Sequence, residues 1–178
     1  MSRLEKALKF AVSAHSGQVR KYTAIPYVTH PIAVMEIVST VEHSEDMLIA
    51  ALLHDVVEDT DYKISDIHDE WGSAVAEMVM HLTDVSKPSD GNRAARKLID
   101  RKHLANAPDN VKTIKLADLI HNSESIIAND PKFAGVYMKE KVMLLTALKG
   151  GDPKLMERAE NIVSNYIYFN KADKENEV

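Results

Sequence analysis

The chain has no cysteine, so a disulfide framework and a thiolate metal site are both excluded, and any bound metal must rest on imidazole and carboxylate. No apolar run approaches the ~20 residues of a bilayer-spanning helix, and the N-terminus lacks the charged-then-apolar pattern of a signal peptide. The cytoplasm is therefore the expected compartment, with no membrane partner. Positive charge is also short. The 22 Lys and Arg against 27 Asp and Glu leave a formal charge of −5, and no broad basic face is available to neutralise a nucleic acid. A small anionic ligand needs only a local cluster of cations and stays open. Period-two alternation is scarce, which argues against strands.

What remains is a helical pattern over 178 residues with 45% hydrophobic content, enough for one domain with a real core. We expect an all-α bundle of about eight to nine helices in one domain over residues 1–170, with a frayed polar tail over 171–178. Ser2 with Glu5 forms a capping box ahead of Leu4, Ala7, Leu8, Ala11 and Ala14, and that helix should stop near Gly17. A loop from Gln18 to Ile25 follows, and Pro26 is expected to open a helix carrying His30, Val34, Ile37 and Val41. Ser44 should cap the next helix, with Glu45 and Asp46 in its first turn. Further helices are expected near 65–70, 72–82, 92–106 and 110–129, then one opened by Pro131 that ends at Gly150-Gly151. Asp152-Pro153 starts the last. The composition leaves room for a homo-oligomer.

The chemistry lies where polar groups interrupt apolar helices. Leu48 to Thr60 sinks His54 and Asp55 into an otherwise apolar run, and an unpaired buried carboxylate must be paired, protonated or given to a metal. Glu58 follows His54 by four residues and Asp59 follows Asp55 by four, so the four should share adjoining stripes of one helix. Asp118 repeats the anomaly within Ile114 to Asn122, with Asn122 and Ser125 on its face, and His30 stands near the start of its own helix. Two imidazoles and two carboxylates suit a divalent ion such as Mn, Fe or Zn with positions left for water and substrate. Glu58 and Asp59 at a helix C-terminus oppose the dipole, which favours a functional role over a capping turn. His15, His43, His68, His81 and His103 read as structural or surface residues, and the methionines as core packing. His121 reads as a partner that orients a ligand from behind.

Three blocks resemble the HD-domain phosphohydrolases, in particular the hydrolase domain of the RelA/SpoT family and its small stand-alone alarmone hydrolases. They are Arg20-Lys21 with Ile25-Pro26-Tyr27-Val28-Thr29-His30-Pro31, then Ala50 to Thr60, then Lys115 to Asn122. The resemblance implies that His30, His54, Asp55 and Asp118 hold a manganese ion, and that Glu58 and Asp59 serve the nucleophilic water. It implies Arg20 and Lys21 at the nucleobase, Asn122 and Ser125 on the ribose and phosphate side, and hydrolysis of guanosine tetra- or pentaphosphate at the 3′-pyrophosphate. The chain departs from that pattern at Leu119 and Glu124, where the family usually has arginines, and in the loop before His30, which lacks the usual glycine. Lys87, Arg93, Arg96 and Lys97 are candidate replacements as phosphate-binding cations. The alternatives are a phosphohydrolase of adenosine alarmones or 5′-nucleotides, a nucleotide-binding regulator without catalysis, and an inert helical scaffold.

Overall fold

Ser2 caps the first helix, α1 (Arg3–Ala14), in both directions: its hydroxyl accepts from the Glu5 amide at 3.1 Å, and its own amide donates to the Glu5 carboxylate at 2.8 Å. The computed structural model describes residues 1–175, with side chains as far as Phe169. After α1 come α2 (Thr29–Val38), α3 (Glu45–Leu53), α4 (Val56–Asp59), α5 (Ile64–Trp71), α6 (Ser73–Leu82), a 3-10 turn at Pro88–Asp90, α7 (Arg93–Ala105), α8 (Asp109–Asn129), α9 (Pro131–Ala147) and α10 (Pro153–Glu175). The fold is all-α. α4 is a single turn of 4 residues, so nine helices among the described residues are longer than a turn, as expected. Because α10 continues to Glu175, the start of the expected frayed tail is helical, and residues 176–178 lie outside the described part.

Two helices form the centre. Every residue of α3 from Met47 to Leu53 is buried, the all-round apolar pattern of a helix with no solvent face. α8 buries Val111, Ile114, Leu116, Ala117, Leu119 and Ile120. α2 packs on both α3 and α8, α1 and α6 cover α3, and α9 and α10 cover α8. The tight turn between α9 and α10 needs Gly151, where a Cβ would sit 2.8 Å from the Leu116 side chain and 3.1 Å from the Lys112 backbone.

Two expectations are corrected. Pro26 does not open α2, because the Gln18–Tyr27 segment folds back on itself instead: the Arg20 amide donates to the Ile25 carbonyl at 2.8 Å and the Tyr27 amide to Gln18 at 2.9 Å, around a bridge between Val19 and Pro26. These bonds hold Ile25 to Tyr27 in a turn against Gln18 to Arg20, so α2 begins at Thr29, and it ends before Val41. The helix expected to run through Glu58 is also broken. His54 and Asp55 stand between α3 and α4, with Asp55 at φ −96° and ψ −6°.

Candidate metal centre

That break is what places the charged pair. His54 closes α3 with its Nδ1 2.8 Å from the Ala51 carbonyl, which puts a proton on Nδ1 and turns Nε2 towards the acidic residues. Nε2 is buried and makes no hydrogen bond, although Asp55 Oδ2 stands 3.1 Å away. α2 contributes His30, whose Nδ1 lies 2.7 Å from His121 Nδ1 on α8 and whose Nε2 faces Asp55 Oδ2 at 3.5 Å. One ligand atom each from His30, His54 and Asp55 fall within 4.8 Å of one another. Asp118, from α8, brings Oδ1 to 3.2 Å from His30 Nε2 and 3.9 Å from His54 Nε2. Segments far apart in the chain thus converge on one point.

Each donor is steered by a neighbour. The Tyr27 hydroxyl donates to Asp55 Oδ2 at 2.7 Å, Asn122 Nδ2 donates to Asp118 Oδ1 at 2.6 Å, and Lys115 Nζ stands 2.9 Å from Asp118 Oδ2. The electrostatics of the centre favour added positive charge. Burial opposes a charged His54, yet Asp55 and Asp118 outweigh it and lift its pKa to about 9. Burial dominates at His30 and lowers its pKa despite Asp118, and burial together with His30 and Arg20 brings His121 down to about 4. Burial would raise both aspartates, but His54 holds Asp55 low, and Lys115 and His30 hold Asp118 low. Two buried ring nitrogens, one of them the His54 Nε2 that makes no hydrogen bond, and two ionised carboxylates fit a divalent cation, which would take the place of the proton that Asp55 and Asp118 otherwise hold on His54.

Beside this centre Glu58 and Asp59 stand at the solvent edge on α4. Shielding by the surrounding protein raises the pKa of both; nearby Asp55 adds to it, while for Glu58 the Asp84 amide that donates to its Oε1 opposes the shift. Glu58 also forms part of a cleft of about 550 Å³ whose walls carry Arg93, Lys97, Arg101, Lys115 and Lys141 together with Asp84, Asp100 and Glu140. Of the four expected phosphate-binding cations, Arg93 and Lys97 line this cleft and Lys87 and Arg96 do not. Arg20 is joined to the centre through Asn122 Oδ1 at 3.0 Å, whereas Lys21 is exposed and donates to Tyr22 at 3.1 Å. Ser125 is not brought into the cluster by any described contact; its backbone carbonyl accepts from Asn129.

Leu119 is buried in the core, and Glu124 pairs with Arg158 at 2.8 Å. Neither presents a cation to the site. The sequence reading gave Tyr27, Lys115 and Lys141 no role. Lys115 stands three residues before Asp118 on α8, a helical spacing that is a signal in the sequence, whereas Tyr27 precedes α2 and reaches Asp55, which no spacing shows. Lys141, on a distant helix, had none.

Comparison with known proteins shows the family to which the chain belongs. The HD domain family model matches residues 7–143. The chain is 36% identical over 127 residues to a GTP pyrophosphokinase of Streptomyces coelicolor, covering 71% of this chain and 15% of that one. It is 36% identical over 129 residues to a guanosine-3′,5′-bis(diphosphate) 3′-pyrophosphohydrolase of Escherichia coli O157:H7, covering 71% of this chain and 18% of that one. The chain therefore spans less than a fifth of the length of these curated relatives. A solved structure described as a metazoan ortholog of SpoT that hydrolyses ppGpp superposes with a TM-score of 0.84 at 29% identity, over 93% of this chain and 96% of that one. With the matched segment enclosing the His54-Asp55 pair and all the residues around it, the chain belongs to the HD-domain family.

Proposed function

We propose that the protein is a metal-dependent phosphohydrolase that removes the 3′-pyrophosphate of guanosine 3′,5′-bis(diphosphate)-type alarmones. The observation that carries this reading is Glu58, which feels Asp55 of the His30, His54 and Asp55 cluster on one side and on the other lines a cleft that holds Arg93, Lys97, Arg101, Lys115 and Lys141 beside Asp84, Asp100 and Glu140. The family match and the activity printed for the Escherichia coli relative and the metazoan structure support it.

His30, His54, Asp55 and Asp118 would hold the ion, with manganese proposed for this mixed nitrogen and oxygen set. Bound there, it supplies Lewis acidity to water and to the phosphoryl group. Glu58 takes the proton from the attacking water, a task suited to a carboxyl that burial makes more basic than an ordinary one. Asp59 orients that water. Arg20, bonded to Asn122, is assigned with Lys21 to the nucleobase, and Asn122 and Ser125 to the ribose and phosphate side. Arg93 and Lys97 receive the remaining phosphates, in place of the arginines absent at positions 119 and 124. The proposed partner is thus a small nucleotide and the proposed setting the cytoplasm. Among the described residues no helix is long and apolar enough to cross a membrane.

The test is product identification. Manganese-loaded protein incubated with guanosine tetraphosphate should release pyrophosphate and GDP in equal amounts, whereas orthophosphate as the product would refute the assignment. Because Leu119 and Glu124 supply no cations, a second reading is hydrolysis of an adenosine alarmone or a 5′-nucleotide at the same centre. A nucleotide panel under the same conditions separates the two.

A further inference from the structure

Of the buried histidines among the described residues, His30 and His54 belong to the cation centre and His15 does not. His15 closes α1, where Gly17 at φ 78° turns the chain back and the Gln18 amide donates to the His15 carbonyl at 3.1 Å. The two side chains then meet. His15 Nδ1 lies 2.8 Å from Gln18 Oε1, and Gln18 Nε2 donates to the Asp59 backbone carbonyl at 2.7 Å.

The far end of this chain of bonds fixes its protons. A carbonyl only accepts, so the Gln18 amide turns its nitrogen to Asp59 and its oxygen to His15. That oxygen also only accepts, so His15 must carry a proton on Nδ1. The ring lies against Tyr27 with centroids 4.9 Å apart, and its Nε2 is buried without a hydrogen-bond partner. Burying an unpaired ring nitrogen costs free energy that an aliphatic side chain in the same space would not. The Nδ1 bond is what a histidine adds there.

Gln18 joins three parts of the site. Its side chain holds Asp59, the last residue of α4, whose carbonyl lies past the end of the helical ladder. Its own backbone carbonyl accepts from the Tyr27 amide at 2.9 Å and so closes the turn that carries Arg20 and Lys21. Tyr27 in turn donates to Asp55 at 2.7 Å and interacts with the Asp59 carboxyl.

We propose that Gln18, oriented by His15, is a positioning residue for hydrolysis: it pins the end of α4 and so sets where Asp59 and the adjacent Glu58 stand beside the cation centre. The inference rests on the roles proposed above for those two carboxylates. Because one residue anchors both the turn assigned to the nucleobase and the end of α4, the water-orienting carboxylate is held in register with that turn.

The experiment compares Gln18→Met, His15→Leu and His15→Asn in the manganese-loaded full chain, on whichever nucleotide the wild type turns over. Methionine matches glutamine in length and has no amide, so kcat should fall about ten- to a hundredfold while KM stays within about twofold. Asparagine offers an amide N–H in place of Nδ1–H but leaves a gap against Tyr27, whereas leucine fills the space and donates nothing. His15→Asn should therefore keep a kcat about tenfold above that of His15→Leu while melting at a lower temperature. Nitrogen NMR of the labelled ring should find a proton on His15 Nδ1 in the wild type. A normal kcat in Gln18→Met, a His15→Leu variant as active as His15→Asn, or a His15 protonated on Nε2 alone would each overturn the proposal. A wild type that turns over no nucleotide would remove the hydrolytic reading and this inference with it, whereas an active wild type with an equally active Gln18→Met variant removes only this inference.

Discussion

Metal binding should expel about one proton from His54 at pH 7.5. In the protein without a bound cation, Asp55 and Asp118 hold a proton on this ring with a pKa of about 9, and that proton occupies the Nε2 lone pair a metal requires. A group of that pKa is roughly 97% protonated at pH 7.5, so release should approach one proton per ion and fall towards zero above pH 9. His30 adds little, because burial keeps it neutral. Apparent affinity should accordingly rise about tenfold per pH unit below the His54 pKa and then level off. Calorimetric titration with manganese in buffers of different ionisation enthalpy measures the count directly. The sign for stability is opposite in metal-free protein. A histidine whose folded pKa is raised from 6.5 to about 9 contributes fully below 6.5 and loses that contribution as pH rises through 9, a change of roughly 3 kcal/mol. Metal binding without proton release at pH 7.5 would refute the electrostatic account of the centre.

Glu58→Gln should keep metal affinity and lower kcat by about 10² to 10⁴, and the wild-type rate should fall with decreasing pH through a Glu58 pKa above the ordinary 4.5; a normal kcat in this variant would remove Glu58 from the mechanism. Ala24 holds a left-handed φ of 54°, so Ala24→Gly should raise stability by up to ~1 kcal/mol in a denaturant titration. Asp100 is buried and accepts from the Val85 and Ser86 amides and the Ser86 hydroxyl at 2.9 to 3.2 Å. Its replacement by alanine strands those donors, and the denaturation midpoint should show a loss of about 2 to 3 kcal/mol.

Helix starts that depend on a local cap could be read from sequence. Ser2, Ser44 and Asn92 each accept from an amide three residues ahead, a bond that needs no tertiary partner. Pro26 misled because proline suits a helix start and a turn equally, and only the pairing of Gln18 with Tyr27 decides between them. The break at Asp55 was hidden for a similar reason: Leu52 to Val57 holds no proline or glycine to mark it, and His54 and Asp55 meet α2 and α8 only once the chain is folded. The metal-binding candidates stood out because ionisable groups within apolar helices are conspicuous. Lys141 did not, since a lysine on an amphipathic helix looks like a solvated one until α7 and α8 are packed beside it. Leu119 is buried, so it gives the site no cation.

The most direct measurement is metal stoichiometry across purified variants. Wild type and Glu58→Gln should each bind one manganese ion per chain, while His54→Ala and Asp118→Ala should both lose it, with circular dichroism confirming that the helices persist. Full retention of the ion by Asp118→Ala would contradict the convergence of α2, α3 and α8 on one cation.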